Sequence, residues 1–402
     1  MHLTLSRPRL ISLAAGFIDN ESLPVRETRL LVRELLRSRP GAQAALQYGT
    51  TQGDPSLRRL TCAYLRDLDG AAQANAVYAA DRMIITNGSQ QLLYMLTEAL
   101  CDPGDIVLVE DPSYFVFLGI VQSRGLRARG IKIDNHGVDL ADLERVLTSL
   151  KAKGALHRLK FVYLVSYFQN PTGITTSFDR KAGTLRLLRK YEKAAGHPIY
   201  LLEDAAYREL GFSTKDVKSS LAVRAGSDCV IYAGTFSKPF ATGIRVGFGI
   251  LPGPVFNSVL GIKGNHDFGT SNFLQHLLAR ALESGAYRKH LRQLHEIYAL
   301  KAKIMARAIR ENFPAEVEWE PARGGLYIWA RLPRGMHSGR DSRLFKRALA
   351  ENVLYVPGEL CYADDPARRK PNHEMRLSFG TGSGPEITEG ILRLGRTLRA
   401  LV

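Results

Sequence analysis

Four cysteines among 402 residues is a small number. Cys62, Cys101, Cys229 and Cys361 stand far apart, so no CxxC pair exists for a metal or a redox centre. In a chain this long they read as reduced, mostly buried thiols of a cytoplasmic protein. The ten histidines form no HExxH and no paired ligand spacing, which argues against zinc and leaves no metal expected. No run approaches the ~18 apolar residues of a spanning helix, so no membrane partner is expected. Low-complexity tracts, internal repeats and Pro/Ser-rich linkers are also missing, which excludes a disordered or collagen-like chain. Arg7 and Arg9 ahead of Leu10–Ile18 faintly resemble a secretory leader. Ser12 breaks that stretch and Asp19, Asn20 and Glu21 end it, so an ordered N-terminal segment is expected.

Positive charge is what the chain has in excess. Lys and Arg number 55 against 39 Asp and Glu, a formal +16. Such an excess invites a nucleic-acid reading. The cations are scattered, however, and no basic block with interleaved aromatics appears, so no nucleic-acid partner is expected.

Length suggests two domains at ~150 residues each, or one large domain with a satellite. Short apolar, β-branched runs at Met83–Thr86, Ile106–Val109, Phe161–Val165, Ile199–Leu202, Val230–Ala233 and Val246–Leu251 alternate with amphipathic helical stretches. One helix opens at Asp54-Pro55, another at Ser89, a third near Ser177. Near-continuous apolar strands between helices mean an α/β fold with a mostly parallel sheet covered on both faces. After about residue 285 a long helix, Tyr287 to about Asn312, leads to strands Gly325–Ala330, Val353–Val356 and Met375–Phe379, then a closing helix from Pro385. The expected division is an N-terminal segment, 1–47, a large domain, 48–285, and a smaller α+β domain, 286–402.

In such sheets ligands bind beyond the carboxyl ends of the strands. Asn87-Gly88-Ser89-Gln90 follows the first strand and opens a helix, which is either a capped turn or a phosphate cradle. Asn170, before Pro171 and Gly173, is either ordinary loop or a rigidly held amide. Asp204 is either an N-cap or a carboxylate held against a cationic ring nitrogen. Lys238 follows a buried strand among Gly234, Thr235 and Ser237, unlike a surface lysine; desolvation there would leave a neutral, nucleophilic amine. Arg245, seven residues on, can fork onto a phosphate. Together these make the inventory that a pyridoxal phosphate site needs.

At this point the chain resembles fold type I pyridoxal-phosphate enzymes of the class I/II aminotransferase family over nearly its whole length. The motifs are Thr235-Phe236-Ser237-Lys238 with Gly243-x-Arg245-x-Gly247, Phe168-Gln169-Asn170-Pro171-Thr172-Gly173, and Glu203-Asp204-x-x-Tyr207. Gln47-Tyr48-Gly49, Glu110-Asp111-Pro112-Ser113-Tyr114, Gly324-Gly325-Leu326-Tyr327-Ile328-Trp329 and Met375-Arg376-Leu377-Ser378-Phe379 resemble the 2-aminoadipate/aromatic aminotransferase subgroup. The resemblance implies transfer of an amino group between an L-amino acid and a 2-oxo acid. It implies that Lys238 holds pyridoxal phosphate as an internal aldimine and later moves the Cα proton. Asp204 pairs with the ring nitrogen, Asn170 and Tyr207 with the ring oxygen, and Tyr114 stacks on the ring. Gly88, Ser89, Gln90, Thr235 and Arg245 hold the phosphate, and Ser237 shapes the lysine turn or joins them. Arg376 grips the substrate carboxylate. Tyr48 reaches the neighbouring subunit's phosphate, implying a homodimer with shared sites.

Gly16-Phe17-Ile18-Asp19, at the place that lines the subgroup's substrate pocket, departs from the usual Gly-x-Pro. A β-lyase, decarboxylase, oxidase or cyclase on the same cofactor would keep nearly all these residues. A non-catalytic ligand-sensing domain is the other alternative. Related regulators carry a winged helix ahead of this domain, and the pattern here starts near residue 10, leaving no room for one. The amino donor is not legible. Arg26, Arg29 and Arg33 read better as a solvated helix face than as a substrate clamp, and Lys263 is a second candidate cation.

Overall fold

The computed structural model describes residues 9–213, 217–224 and 226–401; Arg7 lies outside them. A short strand, β1 (Ile11–Ser12), comes first. Eight strands then build the main sheet: β2 (Met83–Thr86), β3 (Ile106–Asp111), β4 (Arg127–Asp134), β5 (Gly137–Val138), β6 (Leu159–Val165), β7 (Tyr200–Asp204), β8 (Val230–Thr235) and β9 (Gly247–Ile250). Their order is β2-β9-β8-β7-β6-β3-β4-β5. The run β8-β7-β6-β3-β4 is parallel throughout, while β9 is antiparallel to both neighbours.

Side chains alternate across a strand, and here both faces are buried. Val107 and Val109 of β3 with Phe161, Tyr163 and Val165 of β6 enter one apolar cluster. Ile106 and Leu108 with Val162 and Leu164 enter the other. That is why these strands show no polar alternation in the sequence. Strand β4 is the exception: its sequence RARGIKID buries only Ile131 fully, so it carried no apolar signature.

The helices begin where the chain's chemistry says they should. Asp54 accepts from the Leu57 N–H ahead of helix Pro55–Asp69, and Gly70 ends it in the left-handed region at φ 57°. Ser177 caps Phe178–Ala195 in the same way.

A second, antiparallel sheet has the order β10-β11-β14-β13, from β10 (Glu318–Trp319), β11 (Tyr327–Arg331), β13 (Val356–Pro357) and β14 (Glu374–Ser378). The expected single strand Val353–Val356 is two: β12 (Val353–Leu354) pairs with β1, and only β13 joins this sheet. Between them Tyr355 is buried and its hydroxyl donates to the Ser338 carbonyl, 2.9 Å away. Pairing of β1 with β12 brings residues 10–18 against this layer. Helix Ala286–Asn312 runs alongside, and helix Gly384–Arg399 closes the chain with a capping box between Ser383 and Glu386.

Candidate active site

A cavity of about 1090 Å³ opens at the carboxyl ends of β6, β7 and β8, between the two sheets. Ser89, Gln90, Tyr114, Asn170, Asp204, Tyr207, Thr235, Ser237, Lys238, Arg245 and Arg376 all line it, with the 14–17 segment on the far wall. Residues scattered from Ala14 to Arg376 thus meet in one place.

Lys238 leaves the end of β8 and is buried apart from its cavity face. Its Nζ donates to the Gly16 carbonyl at 2.5 Å. Burial pushes its amine down to about 8, helped by the Arg376 and Arg245 charges. Arg245 is held in the left-handed region, at φ 50°, and its Nη1 donates to Ser237 Oγ at 3.3 Å. Such a conformation is strained for a side-chain-bearing residue and is commonest at functional sites. Thr235 Oγ1 accepts from the Ser237 N–H at 3.0 Å, which fixes the lysine turn.

Helix Gly88–Leu100 points its N-terminus at this group. Its preceding residue, Asn87, makes no capping bond and instead donates to Asp267 at 2.7 Å. The first N–H groups of the helix are therefore left for something else. A Cβ on Gly247 would lie 2.4 Å from the Ser89 nitrogen, and one on Gly88 would lie 2.8 Å from Arg245 Nη2. Glycine at both positions is what lets β9, the helix start and the guanidinium close around one small space.

Asp204 ends β7. Its Oδ2 accepts from the Tyr163 hydroxyl at 2.8 Å and its Oδ1 from the Ala206 N–H at 3.1 Å. Burial pushes its carboxyl up to about 6, and those two donors oppose the shift. Arg376, on β14, is fully buried. Nη1 donates to Asn170 Oδ1 at 2.6 Å and Nη2 to the Ala14 carbonyl at 2.6 Å, while Nε has no partner. Because Asn170 Oδ1 faces Arg376, its Nδ2 faces the other way, 3.5 Å from the Tyr207 hydroxyl.

Two tyrosines, Tyr163 and Tyr327, complete the network; neither has a role legible in the sequence, and Tyr327 enters there only within a motif. Tyr163 lies within an apolar strand, where tyrosine is an ordinary β-former. Tyr327 is buried on β11, its hydroxyl 3.0 Å from that of Tyr207. Tyr48 does not reach this cavity in its own chain. It stands 83% exposed with its ring edge-on to Phe268. Of the candidate substrate cations, Arg26, Arg29 and Arg33 point to solvent. Lys263 is buried and paired with Asp267 at 2.6 Å, so it is no free cation.

A buried lysine amine held by a strand end, with a carboxylate, an amide and two arginines around it, belongs to enzymes that work through a carbonyl cofactor on amino compounds. A family model for aminotransferase class I and II matches residues 8–394, and the chain belongs to that family of pyridoxal-phosphate-dependent enzymes. It is 33% identical to an aromatic-amino-acid aminotransferase of Thermococcus litoralis, over 97% of this chain and 88% of that one. It is 32% identical to the 2-aminoadipate transaminase of Thermus thermophilus, over 98% and 92%. A Pyrococcus horikoshii kynurenine aminotransferase has a similar solved structure, with a TM-score of 0.90, 33% identity, and coverage of 100% and 93%. These relationships make the chain an aminotransferase of fold type I with pyridoxal phosphate as cofactor. No helix among the described residues is long and apolar enough to cross a membrane.

Proposed function

We propose that this aminotransferase carries its chemistry on Lys238, with Asp204, Asn170, Tyr207 and Arg376 holding the reacting groups. The observation that supports this best is charge. Four cations, Lys238, Arg245, Arg340 and Arg376, line the cavity with no carboxylate in salt-bridge range among the described residues. A cofactor phosphate and a substrate carboxylate are the anions that would complete it. The close-packed glycines and uncapped helix start suit the phosphate, with Gly88, Ser89, Gln90, Thr235 and Ser237 beside Arg245.

Bound there, pyridoxal phosphate supplies an electron sink that lets an amino acid lose its Cα proton. The protein's own residues do the rest. Asp204, already hydrogen-bonded on both oxygens, would supply the negative charge that pairs with a ring nitrogen. Asn170 Nδ2 and the Tyr207 hydroxyl would offer donors to a ring oxygen, and Tyr114 would help to hold the ring. Arg376 presents its fork to the substrate carboxylate, with Asn170 orienting one arm. Lys238, low enough in pKa to be partly neutral near pH 8, can take and return a proton at Cα. In the ligand-free chain the Gly16 carbonyl accepts from that amine.

Residues 48–285 then form the cofactor domain, 286–402 the smaller domain and 1–47 the N-terminal segment. The exposed Tyr48, next to an exposed Phe268, fits a homodimer in which Tyr48 serves the neighbouring site. Four unpaired, buried cysteines fit a cytoplasmic protein. The apolar walls at Phe115, Phe345, Leu354 and Leu360 fit a bulky apolar or aromatic side chain on the amino donor. Borohydride treatment of the loaded enzyme, followed by peptide mass mapping, tests the assignment. Cofactor mass should appear on the peptide containing Lys238, and its appearance on any other lysine would overturn it.

A further inference from the structure

Tyr327 has three independent contacts that converge on the site. Its hydroxyl is 3.0 Å from the Tyr207 hydroxyl. Its ring centroid lies 4.2 Å from the Arg376 Cζ, under the guanidinium. A Cβ built on Gly16 would lie 2.7 Å from its hydroxyl, so the tyrosine takes the space a side chain there would need. The sheet explains how one residue manages this. Trp329 is directly opposite Arg376 in the β11–β14 register, which puts Tyr327 diagonally across on the same face.

Resting on the reading above, we propose that Tyr327 is a positioning residue that ties the cofactor end of the site to the substrate end. At the cofactor end its hydroxyl donates to Tyr207. The Tyr207 proton is then free to point at the cofactor's ring oxygen rather than at a protein acceptor. At the substrate end its ring face stabilises and orients the buried Arg376 cation. Arg376 in turn bonds Asn170, and Asn170 faces Tyr207. The four side chains form a closed loop, so a change in the grip on the substrate is felt at the donors to the ring.

The two halves of the role separate by substitution. Tyr327→Phe keeps the ring and loses the hydroxyl; Tyr327→Leu loses both. A donor to the ring oxygen holds negative charge there and favours the deprotonated chromophore. Weakening that donor should raise the pH midpoint of the loaded enzyme's visible absorbance by about half a unit or more, the scale of one modest hydrogen bond. That shift is expected in both variants. The Kd of an unreactive carboxylate, 3-phenylpropanoate, read by calorimetry, should stay within about twofold in Tyr327→Phe. In Tyr327→Leu it should rise about thirtyfold, the scale of a desolvated cation–π contact. An unmoved midpoint in Tyr327→Phe overturns the hydroxyl half of the proposal. Should Tyr327→Leu fail to fold, Tyr327→Met, similar in volume and without a ring, gives the same comparison of Kd. A wild-type-like Kd in the ring-deleted variant overturns the substrate half. Wild-type protein with no visible band would sink the lysine assignment itself, whereas a normal wild-type band with unresponsive variants sinks only the role of Tyr327.

Discussion

Two groups of cations in this molecule are treated in opposite ways, one buried behind the sheet and one lining the cavity, where Arg376 is buried and Arg245 is open to the cavity side. Behind the sheet, Lys181 is fully buried and lies 2.8 Å from Glu203, with its ammonium over the Tyr167 ring. Arg208 lies 2.7 Å from Asp69, which also accepts from Ser219 and Tyr78. In the cavity, Lys238, Arg245 and Arg376 are brought together with no such carboxylate. A buried charge without a counter-charge is costly, because desolvation is not offset. The chain balances its structural cations and leaves its site cations unbalanced. The difference teaches that the second set is shaped for anions that come from outside.

Removing one cation from each region would break or sharpen this contrast. Lys238→Ala should lower kcat by about 10³-fold or more, the scale of losing a nucleophile and proton carrier. Steady-state assays with an amino-acid panel and 2-oxoglutarate check this; full transamination would refute the mechanism. Lys181→Met should act through stability instead. It strands Glu203 without its partner and should cost about 3–5 kcal/mol in denaturant unfolding. Cofactor content per folded molecule should change little.

The sequence shows these regions unequally. Lys238, Asp204 and Asn170 are legible because they sit at or just beyond the ends of apolar strands, and Arg245 because it follows Lys238 by seven residues; each has an ordinary structural reading alone, and only the set points to one cofactor. Arg376 is legible only through family likeness, since an arginine in MRLSF could equally face solvent on an edge strand. Tyr163 and Tyr327 are hidden for a different reason. Both are good strand residues, and only the fold decides whether a tyrosine hydroxyl meets Asp204 or merely the rim of a core. Strand β4 is missed because its charged residues face outward and leave too few apolar positions to register. The splitting of 353–357 between two sheets depends on the buried Tyr355 and on a partner strand over 300 residues away. No local pattern encodes that.

A third test bears on the unbalanced region alone. Arg376→Gln keeps hydrogen-bonding capacity toward Asn170 and removes the charge. The KM for amino acid should rise about 10–100-fold, as expected for a charge-assisted bidentate contact, while cofactor content stays near wild type. Equal losses of cofactor and of substrate affinity would mean that Arg376 serves the phosphate or the fold rather than the carboxylate.

The smallest effect is the most direct reading of the imbalance. Lys238 has an ordinary value of 10.5 and is pushed down to about 8 in the folded, ligand-free chain, by burial first and then by Arg376 and Arg245. Between those values the unfolded chain binds more protons, so this group's contribution to stability rises with pH. Its cost is fully present below pH 8 and is gone above 10.5. Glu110, pushed up to about 8 by burial, and Asp111, pushed up to about 7, titrate in the opposite sense over part of the same range. They are common to wild type and Lys238→Met, so the difference between the two chains isolates the amine. Ligand-free Lys238→Met should be the more stable of the pair at pH 7. The gap should narrow by about 1 kcal/mol by pH 9, measured by urea unfolding. A gap that is constant with pH would mean that Lys238 titrates normally and that the cavity does not hold uncompensated positive charge.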